Sequence, residues 1–259
     1  MTANVLLPGA LQTLRLTLAE DGVAWVTLDR QDSANARNQQ MRDELRRVYD
    51  FLAGESRVKV LVLTGAGDRF FCAGMDLKEF DRQETVLARS ERLRSNRDIE
   101  LLAALPLPTI AAINGYALGG GLEMALACDL RVVAEEAQVG MPELSHGLVP
   151  GGGGTRRLPR LIGSSRTLEL LYTGRRLYGP EAVNLGLANE CVPRARLTAT
   201  VGELAGRIAK QPRTALRIAK ELVLRSFETP LVTGVDLELD ALLTLLDEKG
   251  RLAGSGAES

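Results

Sequence analysis

In the stretch PTIAAINGYALGGGLEMALACDLRVVA, residues 108–134, a short apolar run ends at Asn114-Gly115 and a glycine triplet follows at Gly119-Gly120-Gly121. Pro108 to Ile113 is a continuous apolar run bounded by turn residues, which reads as a short buried strand. The glycine triplet opens a helix through about Cys128, and Leu130 to Ala134 is strand-like again. Strand, glycine-started helix and strand in so short a span predict an α/β core.

Toward the N-terminus, residues 13–18 and 23–28 alternate apolar and polar around Glu20-Asp21-Gly22, the signature of a β-hairpin. A polar loop spans Asp29 to Arg37, and Met41, Leu45, Val48 and Leu52 then recur at helical spacing. Val58 to Thr64 is another buried strand, and the charged segment from about 77 to 100 reads as exposed helix. Toward the C-terminus, the chain is mostly helical from Gly163 onward. Its last periodic segment carries Leu231, Val235, Leu239, Leu242 and Leu246, which suits a helix that packs between subunits. The division expected is a core with the active site over residues 1–195, a helical region over 196–248, and a disordered Gly/Ser/Ala-rich tail over 249–259.

Composition removes several function classes. A net charge of −1 argues against nucleic acid as the main partner. One histidine excludes every two-His metal site. Cys72, Cys128 and Cys191 form no CxxC pair and fit a reducing compartment. Neither a basic n-region followed by an apolar run nor a membrane-length apolar stretch is present, so the expected location is the cytoplasm, with no membrane partner.

The glycine clusters at 65–67, 119–121 and 151–154 all fail the G-x-G-x-x-G count, and no Gly-Lys dipeptide exists to make a Walker A loop. No G-x-S-x-G elbow is present either. At 119–121 a different chemistry fits. The first N–H groups of a helix lack internal partners, and glycine lets a ligand oxygen approach them. Such amides can form an oxyanion hole. A tight strand-to-helix turn would need the same glycines for geometry alone. Glu123 falls one turn into that helix, and Glu143 follows in Gly140-Met141-Pro142-Glu143-Leu144. Both sit among apolar and glycine residues, where burial raises a carboxyl pKa. Two such groups suit proton chemistry beside a carbonyl. A capping Glu and a surface Glu would have the same spacing.

Four blocks together resemble the enoyl-CoA hydratase/isomerase (crotonase) superfamily, and most closely its hydratases. They are Asp29-Arg30 through Asn35-Ala36, Thr64 through Leu77, Asn114 through Asp129, and Pro142-Glu143 through Thr155. The resemblance covers roughly residues 12–248. It implies a spiral of ββα units with C-terminal helices that form a homotrimer, or a hexamer as a dimer of trimers. It implies a coenzyme A thioester as substrate, with no metal and no redox cofactor. By motif position, the backbone N–H groups of Met75 and Gly120 would form the oxyanion hole. The Met75 side chain would line the acyl pocket. Glu123 would activate water for attack at Cβ, and Glu143 would protonate Cα. Asn35, Ala36, Ala73, Gly74, Asp76, Leu77, Gly119, Pro142 and Gly151 would bind substrate or coenzyme A. An isomerase or other acyl-CoA reaction on the same hole is the nearest alternative, and a non-catalytic RNA-binding relative a more distant one.

The chain departs from the family pattern at Gln31, where proline is common, and at Arg37, where an apolar residue is common. It also stops soon after Gly250, where many relatives carry a further helix. His146 is expected to be structural or interfacial, Cys72 a packing thiol, and Asp76 an N-cap. Arg156, Arg157 and Arg160 are expected on a solvated helix face.

Overall fold

The computed structural model describes residues 9–79, 83–95 and 97–255, with side chains of the last helix described through Asp247. The chain opens with the hairpin β1 (Leu14–Leu18) and β2 (Val23–Leu28), paired antiparallel with Leu16 opposite Val26. Helix α1 (Gln39–Gly54) starts where the Asn38 side chain accepts a bond from the Met41 amide at 2.9 Å. It buries the stripe Met41, Leu45, Val48 and Leu52.

From there one pattern repeats. A long strand is followed by a three-residue strand and then by helix: β3 (Val60–Gly65), β4 (Phe70–Cys72), α2 (Val86–Ser95) and α3 (Asp98–Ala103). Next come β5 (Thr109–Ile113), β6 (Tyr116–Leu118) and α4 (Gly120–Ala127). The third turn is β7 (Leu130–Ala134), β8 (Gln138–Gly140), α5 (Gly154–Ile162) and α6 (Ser164–Thr173). Each turn adds its long strand to one sheet and its short strand to another. After β9 (Arg176–Tyr178), α7 (Gly179–Asn184) and β10 (Glu190–Val192), the sheets read β1-β2-β3-β5-β7-β10 and β4-β6-β8-β9. All pairings are parallel except β1 with β2 and β8 with β9. This is the ββα spiral expected from the resemblance. Parallel neighbours need a crossover, and the helices supply it.

Two asparagines lock the corner that leads to the site. Asn35 Nδ2 donates to the carbonyls of Ala66 (3.0 Å) and Phe70 (2.9 Å), and Asn114 Nδ2 donates to those of Gly65 (3.0 Å) and Gly67 (2.8 Å). Both give loop carbonyls a side-chain partner and tie the loops together. Helix α8 (Arg194–Ala209) closes the long sheet with Leu197, Val201, Ala205 and Ala209, one residue per turn. Then α9 (Arg213–Arg225) and α10 (Leu231–Ser255) pack on each other. Leu231, Val235, Leu239, Leu242 and Leu246 of α10 are exposed in the single chain.

One expectation is corrected. The 77–100 segment is not one exposed helix: it is a 3-10 turn at Leu77–Glu79 followed by α2 and α3. Glu79, Asp98, Ile99 and Leu102 are buried. Glu79 pairs with Arg42 and Asp98 with Arg37, partners distant in sequence, so a charge count along the segment reads a solvated face. Helix α10 is described as far as Ser255. Residues 256–259 of the expected disordered tail lie outside the described residues. Among the described residues no helix is long and apolar enough to cross a membrane.

Candidate active site

A cleft of about 590 Å³ opens where β4 ends, where β6 turns into α4, and beside the loop that precedes α5. Gly119 caps α4 with φ +51°, and Gly74 has φ +102°, both left-handed values that favour glycine. The two segments lie close: a Cβ placed on Gly74 would fall 3.2 Å from the Gly120 nitrogen. Met75 forms a parallel bridge with Arg37, in which the Arg37 amide donates to the Gly74 carbonyl (2.8 Å) and the Asp76 amide donates to Arg37 (3.1 Å). That pattern leaves the intervening Met75 amide outside the ladder. Gly120, first residue of α4, has no intrahelical acceptor for its own amide. Two available N–H groups on neighbouring segments are the parts of an oxyanion hole.

Glu123 and Glu143 both line the cleft, on different elements. Glu123 is buried one turn into α4. Its Oε1 accepts from the amides of Gly152 (2.7 Å) and Gly154 (2.8 Å), at the start of α5. These bonds orient the group and leave Oε2 for a ligand. Glu143 opens a 3-10 turn at Glu143–His146. Burial pushes its carboxyl up to about 7, with the Glu123 charge acting in the same direction. Its Oε2 is buried and has no hydrogen-bond partner among the described residues. A carboxyl poised there can give or take a proton near neutrality.

Most of the residues expected at the site meet in this cleft. Ala73, Gly74, Met75 and Leu77 line one side, Gly119 and Gly120 the floor of the turn, and Pro142 and Gly151 the opposite loop. Three do not line it. Asn35 is fully buried and spends its amide on the loop carbonyls; Ala36 offers its carbonyl to Arg30; Asp76 pairs with Arg30 at 3.0 Å. The contacts of these three, expected as binding residues, hold the 30–37 and 66–76 segments together. Asp76 also accepts from the Lys78 amide at 3.2 Å, in keeping with a cap.

His146 is exposed at the rim of the cleft. Cys72 is buried, and burial pushes its thiol up, away from nucleophilic use. Arg157 braces the loop by donating to the Gly152 carbonyl at 2.8 Å, while Arg160 lies 5.2 Å from the Phe227 ring centre. The sequence reading missed Arg37 and Asp98, a buried pair in the cleft wall joined at 2.5 Å. The one signal was Arg37 itself, a charge inside an otherwise family-like block. Its partner is 61 positions away. No group of three or more potential metal ligands occurs among the described residues.

Residues 19–256 match the sequence profile of the family described as enoyl-CoA hydratase/isomerase. The chain belongs to that family. Among similar proteins, the short-chain-enoyl-CoA hydratase of Clostridium acetobutylicum is 35% identical over 222 residues, 86% of this chain and 85% of its own. A crystal structure of enoyl-CoA hydratase from Bacillus anthracis superposes with a TM-score of 0.88 at 39% identity, covering 95% of each chain. A Thermobifida fusca structure in complex with acetoacetyl-CoA gives 0.84 at 34% identity, over 91% of this chain and 95% of that one. As a member of the enoyl-CoA hydratase/isomerase family the chain is an enzyme.

Proposed function

We propose that this enzyme is an enoyl-CoA hydratase, adding water syn across the double bond of a trans-2-enoyl-CoA to give the 3-hydroxyacyl-CoA. The observation that carries this reading is the pair of carboxylates on one cleft beside two available amides. The thioester oxygen would accept from the amides of Met75 and Gly120. Glu123 Oε2 and Glu143 would hold one water between them. As the water oxygen bonds to Cβ, Glu123 takes its proton and the π electrons move onto the thioester oxygen. Glu143 then protonates Cα as the enolate collapses. Passage of the proton from Glu123 back to Glu143 resets the site. Both additions come from the side of the two carboxylates, hence syn. The scheme needs no metal or redox cofactor, since coenzyme A belongs to the substrate.

The neutral-range carboxyl of Glu143 also favours a second reading, an enoyl-CoA isomerase in which that group moves a proton between Cα and Cγ. Adding the protein to crotonyl-CoA and following the enoyl-thioester absorbance tests the first reading, with analysis of the products to separate the two. Loss of absorbance with formation of 3-hydroxybutyryl-CoA supports hydration. A shifted double bond from a longer enoyl-CoA, with no hydroxy product from either substrate, sinks it.

The reading includes an assembly. The exposed leucines of α10 would be covered in a homotrimer, or in a hexamer built of two trimers.

A further inference from the structure

The two donors of the proposed hole sit on separate segments, Met75 after β4 and Gly120 at the start of α4. Nothing covalent fixes the gap between them, yet an oxyanion hole works only when both N–H groups meet one oxygen at hydrogen-bond distance. One residue touches both sides. The main chain of Arg37 is bonded on either side of Met75, to the Gly74 carbonyl and from the Asp76 amide. Its side chain lies across Gly120: a Cβ placed there would fall 2.6 Å from Arg37 Nη2, 3.5 Å from Cζ and 3.7 Å from Nε.

The guanidinium is held in turn. Nη1 pairs with Asp98 Oδ2 at 2.5 Å, both side chains being almost fully buried. Arg42 Nη2 donates to the Arg37 carbonyl at 3.1 Å, and Arg42 is itself tied to Glu79 at 2.8 Å. Arg37 Nε is buried without a hydrogen-bond partner among the described residues. Leaving a donor unpaired costs free energy, so hydrogen-bonding capacity alone does not account for a placement that lays the guanidinium over Gly120.

We propose that Arg37 is a positioning residue of the oxyanion hole, clamping the Gly120 amide against the Met75 amide, with Asp98 fixing the clamp. This rests on the acyl-CoA reading above. The nearby Asp98 offsets most of the guanidinium charge, so the effect is one of geometry rather than added positive potential. A misplacement of about 1 Å at such a site costs on the order of 10²-fold in rate.

The test replaces the pair by apolar residues, Arg37→Met with Asp98→Leu, which avoids leaving one buried charge alone. Arg37→Lys and Asp98→Asn are made alongside, and folding is checked by circular dichroism. Two quantities are read: kcat and KM on crotonyl-CoA, and the red shift of cinnamoyl-CoA absorbance on binding. The shift reports polarisation of the conjugated carbonyl without requiring turnover. The folded double variant should lose about 10–10²-fold in kcat with KM changed little, and should lose most of the red shift. Arg37→Lys should recover part of both, and Asp98→Asn should lose activity like the double variant.

A merely structural pair would lower the melting temperature and leave the shift and kcat of the folded protein unchanged; that result overturns the proposal. So does a rise in kcat with Asp98→Asn, which would mean that charge and not position matters. If the double variant fails to fold, the Lys and Asn variants decide by the same two readouts. If the unmodified enzyme gives neither turnover nor a shift, the acyl-CoA reading fails and this proposal falls with it. A shift in the unmodified enzyme that survives in the variants overturns this proposal alone.

Discussion

The Gly152 amide donates to Glu123 Oε1 across 2.7 Å, tying a carboxylate on α4 to the loop that leads into α5. A side chain there would crowd the carboxylate. A Cβ on residue 152 would lie 2.7 Å from Glu123 Oε2 and 2.5 Å from Ile99 Cδ1. Gly152→Ala should therefore displace the carboxylate and lower kcat/KM by about 10²-fold, while circular dichroism stays native. Unchanged kcat/KM would mean that the orientation of Glu123 is not limiting.

Removing either carboxylate tests the division of labour directly. Glu123→Gln and Glu143→Gln should each lose about 10²–10⁴-fold in hydration rate with the assembly intact by light scattering. A Glu143→Gln variant that still hydrates near the normal rate would remove Glu143 from the mechanism.

The pH profile follows from Glu143, whose carboxyl burial pushes up to about 7. In the hydration direction it must carry a proton in the free enzyme. The protonated fraction falls tenfold per pH unit above that value, so log kcat/KM should bend near pH 7 and decline with unit slope on the alkaline side. Steady-state rates at subsaturating crotonyl-CoA check it. A profile flat from pH 6 to 9 would contradict the assignment.

The same carboxyl costs stability. Its folded value is raised to about 7 from the ordinary 4.5, so ionisation opposes folding. The penalty is absent below pH 4.5, grows from there to about pH 7, and is complete above. Glu143→Gln should thus stabilise the protein at pH 8 by about 1–2 kcal/mol after allowance for solvent screening, and hardly at all near pH 4.5. Thermal melts at the two pH values should show a Tm gain of a few degrees in the first only.

On α10, Leu239 and Leu242 are each more than half exposed in the single chain. Leu239→Glu with Leu242→Glu should convert the proposed homotrimer or hexamer to smaller species in sedimentation or light scattering, because two charges would have to be buried at the proposed interface. An unchanged mass would place the interface elsewhere.

Much of the fold was legible along the chain. The hairpin, the long strands at 60–65, 109–113 and 130–134, and the glycine-started helix each carry a local signal of alternation, apolar run or turn residue. The second sheet was not. Its strands β4, β6, β8 and β9 are three residues long, too short to show a period, and exist through their pairing with one another. Within the site, Glu123 and Glu143 were readable as chemically apt groups in a recognisable block.

Short, contiguous motifs carried the family and pointed to the two carboxylates, while the ββα order came only with the family resemblance. Packing set which groups share the cleft and in what state. The raised value of Glu143 arises from burial, which its apolar and glycine neighbours suggested, and from the Glu123 charge, which only packing brings beside it. Asn35 and Asp76 turned out to brace loops, since hydrogen-bond partners are set by packing. Arg37 and Asp98, 61 positions apart, became neighbours because the spiral brings α3 against the end of the 30–37 loop. An ion pair across that separation has no local signature. It forms because two charges taken out of water in the same place must meet.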